Sequence, residues 1–500
     1  MLTPEQEQIA KFPFHGKDST IVVQAYAGTG KTSTLMELAN CHKKDKILYL
    51  AYNKSMASEA KEKFCKYNNV VTSTIHSLAY KFIGYKYSSR LGNITPLSIS
   101  SLARHFFGNV DKNTVSPFIL GCFNGFLSSQ YTDIKEYFIS ECIKKNFDFI
   151  KKNSLQPENI YMAIAEMWKA TANDDSKICS LPVPHDVYLK KFQASKVQLP
   201  YSIILVDEAQ DITDCMLEIS HMQNSHKVFI GDTYQQIYSW NGAVDSLQKM
   251  QKQGATCLYL TKSFRCPGRV TAHADQYLRL MGASKQFVGN DGTISVKNQS
   301  SAYLARSNAS IFLEAFKEVE SGGHPYFLGG FAGYNFELLV DLAHAHSGKW
   351  AHIRNSSLKE NFHNFQEIEQ YAECDQMLQS RCNLVKKFGS SISAMYFKIK
   401  SNLTEEISDA TRVFSTAHKA KGAEWRDVEL AEDFLDMHDI LNQLKQGDVV
   451  SVRKEELNLL YVAITRSMKN IVLPKQFELT DNHVEIFKHG IEVKNMIWEI

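Results

Sequence analysis

The run Ala25-Tyr26-Ala27-Gly28-Thr29-Gly30-Lys31-Thr32 constrains this chain more than any other segment. A glycine loop ending in Lys-Thr works only when a strand delivers it and a helix leaves it. Ile21-Val22-Val23 just ahead is a short apolar run suited to a buried strand, and Lys31 to Asn40 carries Leu35, Leu38 and Ala39 at helical spacing. Gly28 and Gly30 let the loop bend back so that its N–H groups point inward at phosphates, while the helix presents the positive end of its dipole. Ala27 and Thr29 complete the cradle, Lys31 neutralises the β- and γ-phosphate oxygens, and Thr32 is the candidate ligand for Mg²⁺. Ala25 stands where the general pattern has its first glycine, a departure that leaves the residues nearest phosphate intact.

A second segment supplies the other half of a nucleotide triphosphatase. Ser202-Ile203-Ile204-Leu205-Val206 reads as a buried parallel strand, and the carboxylates at its carboxyl end would face the nucleotide at the edge of an open α/β sheet. Asp207 is then the candidate metal ligand, and Glu208 the base or water-orienting group for attack on the γ-phosphate. The alternative, a glycine turn and a solvated acidic loop, is set aside because both motifs carry the right flanking elements.

Reading outward from these two sites, the chain resembles the UvrD/Rep family of superfamily 1 DNA helicases, nearest its F-box DNA helicase branch, in a nearly full-length, collinear series. Leu2-Thr3-Pro4-Glu5-Gln6 is similar to the family's Q motif, which implies that Gln6 reads the adenine edge. Ala51-Tyr52-Asn53-Lys54-Ser55 and Thr74-Ile75-His76-Ser77 resemble two segments that grip single-stranded DNA, implying contacts from Tyr52, Asn53, Lys54, Thr74 and His76. Gly231 to Trp240 resembles the motif joining the nucleotide cleft to the DNA groove, with Gln235 sensing the γ-phosphate and Tyr238 and Trp240 on the DNA side. A base stacked on Trp240 would be worth roughly 1–3 kcal/mol. Asn241 follows where the family usually has arginine, and asparagine cannot make the same ion pair.

Ser263-Phe264-Arg265 resembles the motif whose aromatic packs on adenine and whose arginine reaches the triphosphate, and Ala305-Arg306-Ser307-Asn308 resembles a strand-end DNA contact through Arg306 and Asn308. Thr416 to Glu424 and Leu460 to Arg466 complete the series. The resemblance places Thr416 and His418 on DNA, Gly422 and Glu424 on nucleotide, and Arg466 with Arg265 at the phosphates. Such arginines are worth on the order of 10³ to 10⁵ in rate in other NTPases, because guanidinium forks match phosphate oxygens. The fold it implies is α/β, two RecA-like P-loop domains with nucleotide between them. The activity it implies is an ATP- and Mg²⁺-dependent motor moving 3′ to 5′ on single-stranded DNA and tailed duplexes.

Five hundred residues at 44% hydrophobic exceed the usual single domain. The expected division is a first lobe over 1–85 and 199–256, a helical insertion 1B over 86–198, a second lobe over 257–334 and 411–500, and a short helical insertion 2B over 335–410. Second-lobe strands are expected at Thr293 to Lys297, Tyr326 to Leu328, Arg412 to Ser415 and Val428 to Leu430. A net charge of +2 gives no global nucleic-acid signature, so DNA affinity must be local. Lys144-Lys145, Lys151-Lys152 and Lys190-Lys191 either border a groove or form solvated helix faces.

Ten cysteines without a C-x-x-C pair argue against zinc ribbon, iron–sulfur or dithiol chemistry and suit a reducing compartment. His344 and His346 diverge around a helix and read as structural. No leader and no bilayer-length apolar run is visible, so a soluble cytoplasmic protein, or a nuclear one in a eukaryote, is expected. A sequence that starts at the Q motif and stops soon after Arg466 leaves no room for an F-box, a nuclease domain or a long interaction tail, so a ubiquitin-ligase role is not expected to carry over. The leading expectation is a helicase in DNA repair or recombination. A motor subunit of a larger complex, for example with a nuclease in anti-phage defence and with little unwinding alone, is the alternative, and a nucleotide-gated binding module is a third.

Overall fold

The computed structural model describes residues 2–16, 18–108, 112–172, 181–238, 242–290, 292, 300–372, 376–446 and 450–494. The chain divides into two compact units, one running to Leu260 and the other from Thr261 to Lys494. Each is built on a parallel sheet flanked by helices, the RecA-like architecture. No helix among the described residues is long and apolar enough to cross a membrane.

In the first unit the strands are β1 (Thr20–Ala25), β2 (Ile47–Ala51), β3 (Val70–Thr74), β4 (Ile203–Val206), β5 (His226–Gly231) and β6 (Thr256–Leu260), in the spatial order β3-β2-β4-β5-β1-β6. All neighbours are parallel, which explains why β1, β2 and β4 are apolar almost throughout: both faces are covered. Successive side chains alternate between two cores. Ile21, Val23, Ile47, Tyr49, Ile203 and Leu205 pack with Leu35 and Leu38 of helix α2 (Lys31–Cys41) and Ala60 of helix α3 (Lys54–Lys63). Val22, Leu48, Leu50, Ile204 and Val206 pack on the opposite side, in a core that continues without a break into Phe118, Phe123, Ile160, Met167 and Phe192 of the helical segment between β3 and β4.

Two expectations are corrected here. Thr256–Leu260, expected near the opening of the second lobe, is the edge strand of the first sheet, with Ile21 opposite Thr256 and Ala25 opposite Leu260. The cause is tertiary: an apolar edge on β1 is covered by a strand more than two hundred residues away. Lys190 borders no groove and faces no solvent. It is fully buried, and its Nζ donates to the carbonyls of Ser129 (2.5 Å) and Tyr131 (2.9 Å) and to Gln193 Oε1 (2.7 Å), which together satisfy a desolvated ammonium. Its neighbour Lys191 donates to the Tyr87 hydroxyl and the Ala172 carbonyl. Lys144, Lys145, Lys151 and Lys152 are exposed in the last turns of their helices.

The second unit carries β7 (Ser301–Ala305), β8 (Pro325–Phe327), β9 (Arg412–Thr416), β10 (Trp425–Leu430) and β12 (Ser467–Val472) in the order β12-β10-β7-β9-β8, while β11 (Val450–Arg453) and β13 (Ile491–Lys494) form a separate parallel pair. The strands expected around 326, 412 and 428 are thus present. The one expected at Thr293 to Lys297 lies outside the described residues. The helices between β8 and β9, among them Glu337–His346 and Ser391–Ser401, share one core with Tyr303, Phe327 and Phe414 of the sheet. His344 lies against His352, and His346 against Phe365.

Candidate active site

The strand order sets the site. β1 and β4 flank β5, so the three loops leaving their carboxyl ends, at 26–30, 207–211 and 232–236, emerge side by side, where open α/β sheets bind ligands. Gly28 and Gly30 adopt φ of +69° and +79°, the left-handed conformations that turn loop amides inward. Helix α2 follows directly with Gly30 at its N-cap and no side chain capping it, leaving its first N–H groups for an anion. Thr29 is buried and donates to the Tyr26 carbonyl, which closes the loop on itself.

Lys31 and Glu208, 177 residues apart, meet with Nζ 2.5 Å from Oε1. Burial alone lowers the Lys31 pKa, but Glu208, Asp207 and Asp232 outweigh it and hold the ammonium above its ordinary value. Glu208 takes φ of +49°, a conformation that costs a non-glycine residue about 1–3 kcal/mol and gathers at functional sites. Beside it Asp207 is buried, its Oδ2 accepting from the Tyr49 hydroxyl and its Oδ1 from the Glu208 N–H at 2.9 Å. Burial, then the Glu208 charge, pushes the Asp207 carboxyl up. One ammonium against several clustered carboxylates leaves a surplus of negative charge. Hard carboxylate oxygens in such a surplus fit the chemistry of Mg²⁺, with Asp207 and, in the first turn of α2, Thr32 as its candidate ligands.

A web of amides joins this pair to the third loop. Gln210 Nε2 donates to Glu208 Oε2 (2.7 Å), while Gln210 Oε1 accepts the Asp232 N–H (3.0 Å). Asp232 in turn accepts from Gln24 (3.1 Å) and Gln235 (2.7 Å). The close approach needs Gly231, since a Cβ there would lie 2.1 Å from Gln210 Oε1. Gln6 is buried in a capping box with Thr3 at the start of helix α1 (Pro4–Ala10), and its Nε2 reaches the Thr29 carbonyl at 3.5 Å. Gln6 therefore touches the glycine loop that precedes α2.

The candidate DNA residues of this unit stand at neighbouring strand ends. Asn53 caps α3 by accepting the Met56 N–H, and Thr74 caps helix α4 (Ile75–Phe82) by accepting the Ser77 N–H. Lys54 is exposed at the first turn of α3. His76 is held by Asp186 (3.6 Å) and the Tyr188 ring, with its Nδ1 buried and unpartnered. A small cavity lined by Ala51, Tyr52, Ile75, His76 and Asp207 links these strand ends to the first of the acidic pair. Burial, then Asp211 and Tyr52, pushes the Tyr238 hydroxyl up to about 12. Trp240 and Asn241 lie outside the described residues.

In the second unit Arg265 pairs with Glu424 (2.7 Å), Phe264 is 42% exposed, and Gly422 has φ of +89°. Arg466 is only 1% exposed and donates to the carbonyls of Val462 (2.9 Å) and Ala423 (3.2 Å). Burial, then Arg265, lowers its pKa to about 10. Arg306 forks onto Glu456 (2.9 to 3.3 Å), and Asn308 donates to the Tyr334 carbonyl. His418, beside Arg306 and Glu456, has its pKa lowered to about 4, by burial first and then by Arg306. Thr416 is buried at the end of β9.

Sequence reasoning missed Tyr49, Gln24 and Gln210. Gln210 stands two residues beyond Glu208 in the acidic motif, a signal that could have found it; Tyr49 reads as one more apolar strand residue.

Residues 2–254 match the profile of the UvrD/REP helicase N-terminal domain. The chain is 29% identical over 507 residues to F-box DNA helicase 1 of Gallus gallus, covering 95% of this chain and 49% of that protein. It is 29% identical over 523 residues to F-box DNA helicase protein 1 of Schizosaccharomyces pombe, covering 94% and 57%. A probable DNA helicase II homolog of Mycoplasma pneumoniae is 24% identical over 295 residues, covering 51% and 39%. The chain thus spans about half the length of the curated relatives it matches.

Proposed function

The chain belongs to the UvrD/REP helicase family, and on that premise we propose that it is an ATP- and Mg²⁺-dependent DNA helicase that moves 3′ to 5′ on single strands and opens tailed duplexes. The observation that carries this reading is the meeting of Lys31 with Glu208 over a loop whose amides turn inward. A triphosphate in that loop would draw Lys31 to its β- and γ-oxygens and free the Glu208 carboxylate to orient water and take its proton. Mg²⁺ held by Thr32 and Asp207 would neutralise charge on the same oxygens. Gln6, Phe264, Gly422 and Glu424 are assigned to nucleotide binding, Gln235 to sensing the γ-phosphate, and Arg265 and Arg466 to the charge of the transition state. Reaching phosphate requires Arg466 to exchange its carbonyl partners and Arg265 to release Glu424.

Tyr52, Asn53, Lys54, Thr74, His76 and Tyr238, with Trp240, are assigned to DNA in the first unit, and Arg306, Asn308, Thr416 and His418 in the second. Asn53 and Thr74 at the carboxyl ends of the adjacent strands β2 and β3, with the exposed Lys54 beside them, support a phosphate-tracking face. Segments 86–198 and 335–410 take the places of insertions 1B and 2B. Service in repair or recombination, in cytoplasm or nucleus, is part of the same proposal. The test is strand separation on duplexes with a 3′ or a 5′ single-stranded tail, and opening of the 3′-tailed substrate alone is expected. Opening of only the 5′-tailed substrate would reverse the polarity, and hydrolysis without any opening would favour the motor-subunit alternative.

A further inference from the structure

We propose that Tyr49 is a positioning residue for the metal, its hydroxyl orienting the Asp207 carboxylate for Mg²⁺; this rests on the nucleotide-site reading above. Tyr49 lies on β2, the strand adjacent to β4, directly opposite Leu205. It is 2% exposed, its ring packs against Phe64 at 5.1 Å between centroids, and its hydroxyl donates to Asp207 Oδ2. The Asp207 main chain is fixed on the same strand, its N–H donating to the Leu50 carbonyl at 3.0 Å. With the Glu208 N–H on Oδ1, each carboxylate oxygen has one donor, which fixes the rotation of the group and leaves the remaining lone pairs for a cation. A phenylalanine at position 49 would keep the ring's packing and leave Oδ2 buried without that donor. The hydroxyl is the feature that core packing does not require.

The substitution Tyr49→Phe keeps the ring and removes the donor. The measurement is the affinity of the full chain for a fluorescent ADP analogue, first in EDTA and then across a Mg²⁺ titration. Partners of metal ligands outside the coordination sphere typically contribute on the order of 10- to 100-fold in metal affinity. The variant should therefore match wild type in EDTA and need about 10- to 100-fold more Mg²⁺ for the same response. Coincident Mg²⁺ curves would overturn the assignment, as would a loss of nucleotide binding in EDTA, which marks a purely structural role. A wild-type protein that binds no nucleotide would instead remove the underlying reading, and this inference with it.

Discussion

The Glu208 carboxylate accepts from Lys31 and Gln210, and its backbone is held in a left-handed turn. Such an arrangement is expected of a group kept ready for use. Glu208→Ala should lower steady-state phosphate release by about 10²–10⁴-fold while nucleotide affinity holds or rises, because Lys31 loses its competing partner. Turnover that persists in the variant would remove Glu208 from the chemistry. His418 gives a pH prediction with a definite sign. Its folded pKa is lowered to about 4, against roughly 6.5 in the unfolded chain, so the unfolded state takes the proton first. The associated stability is intact above the unfolded value and is lost as pH falls from about 6.5 towards about 4, with a ceiling on the order of 3 kcal/mol. Chemical denaturation at pH 7 and pH 5 should show this loss in wild type and a smaller one in His418→Asn.

At the scale of elements, the two helical segments complete the cores of their parent units. Lys190 shows how the first is tied down: one buried ammonium gathers the carbonyls of Ser129 and Tyr131 onto helix His185–Ser195. Lys190→Met should cost about 3 kcal/mol, read as a lower urea midpoint; an unchanged midpoint would show that the cage contributes nothing net. Gly231→Ala should displace Gln210, because the added methyl meets its Oε1, and turnover should fall more than nucleotide affinity does. The phosphate loop, the acidic pair and the strands near 326, 412 and 428 were legible because each is written in a few consecutive residues. The sheet membership of Thr256–Leu260 was not, since parallel pairing is decided by a distant partner and leaves no local period. Tyr49 was hidden for a related reason: an aromatic in a buried strand looks like core until the carboxylate one strand away is located. Amphipathic spacing marked the insertions as helical without revealing what their apolar faces cover.

At the scale of the whole molecule, each RecA-like unit presents candidate residues at strand ends: in the first at carboxyl ends, in the second at the carboxyl ends of β7 and β9, while Glu424 and Arg466 stand just before the amino ends of β10 and β12. Net charge is nearly balanced, with 56 basic against 54 acidic residues, so the proposed affinity for DNA calls for local edges and not for a basic surface overall. Binding should accordingly weaken with salt, with a slope that falls when Lys54 is neutralised, measurable by fluorescence anisotropy on oligothymidine. All of this depends on the first unit being an ATP hydrolase that DNA switches on. The most direct test is the steady-state rate of ATP hydrolysis by the purified chain in Mg²⁺, with and without single-stranded DNA, beside Lys31→Ala. A rate that rises with DNA and is abolished in the variant is expected; a wild-type rate that stays at background when DNA is supplied contradicts an ATP-driven motor.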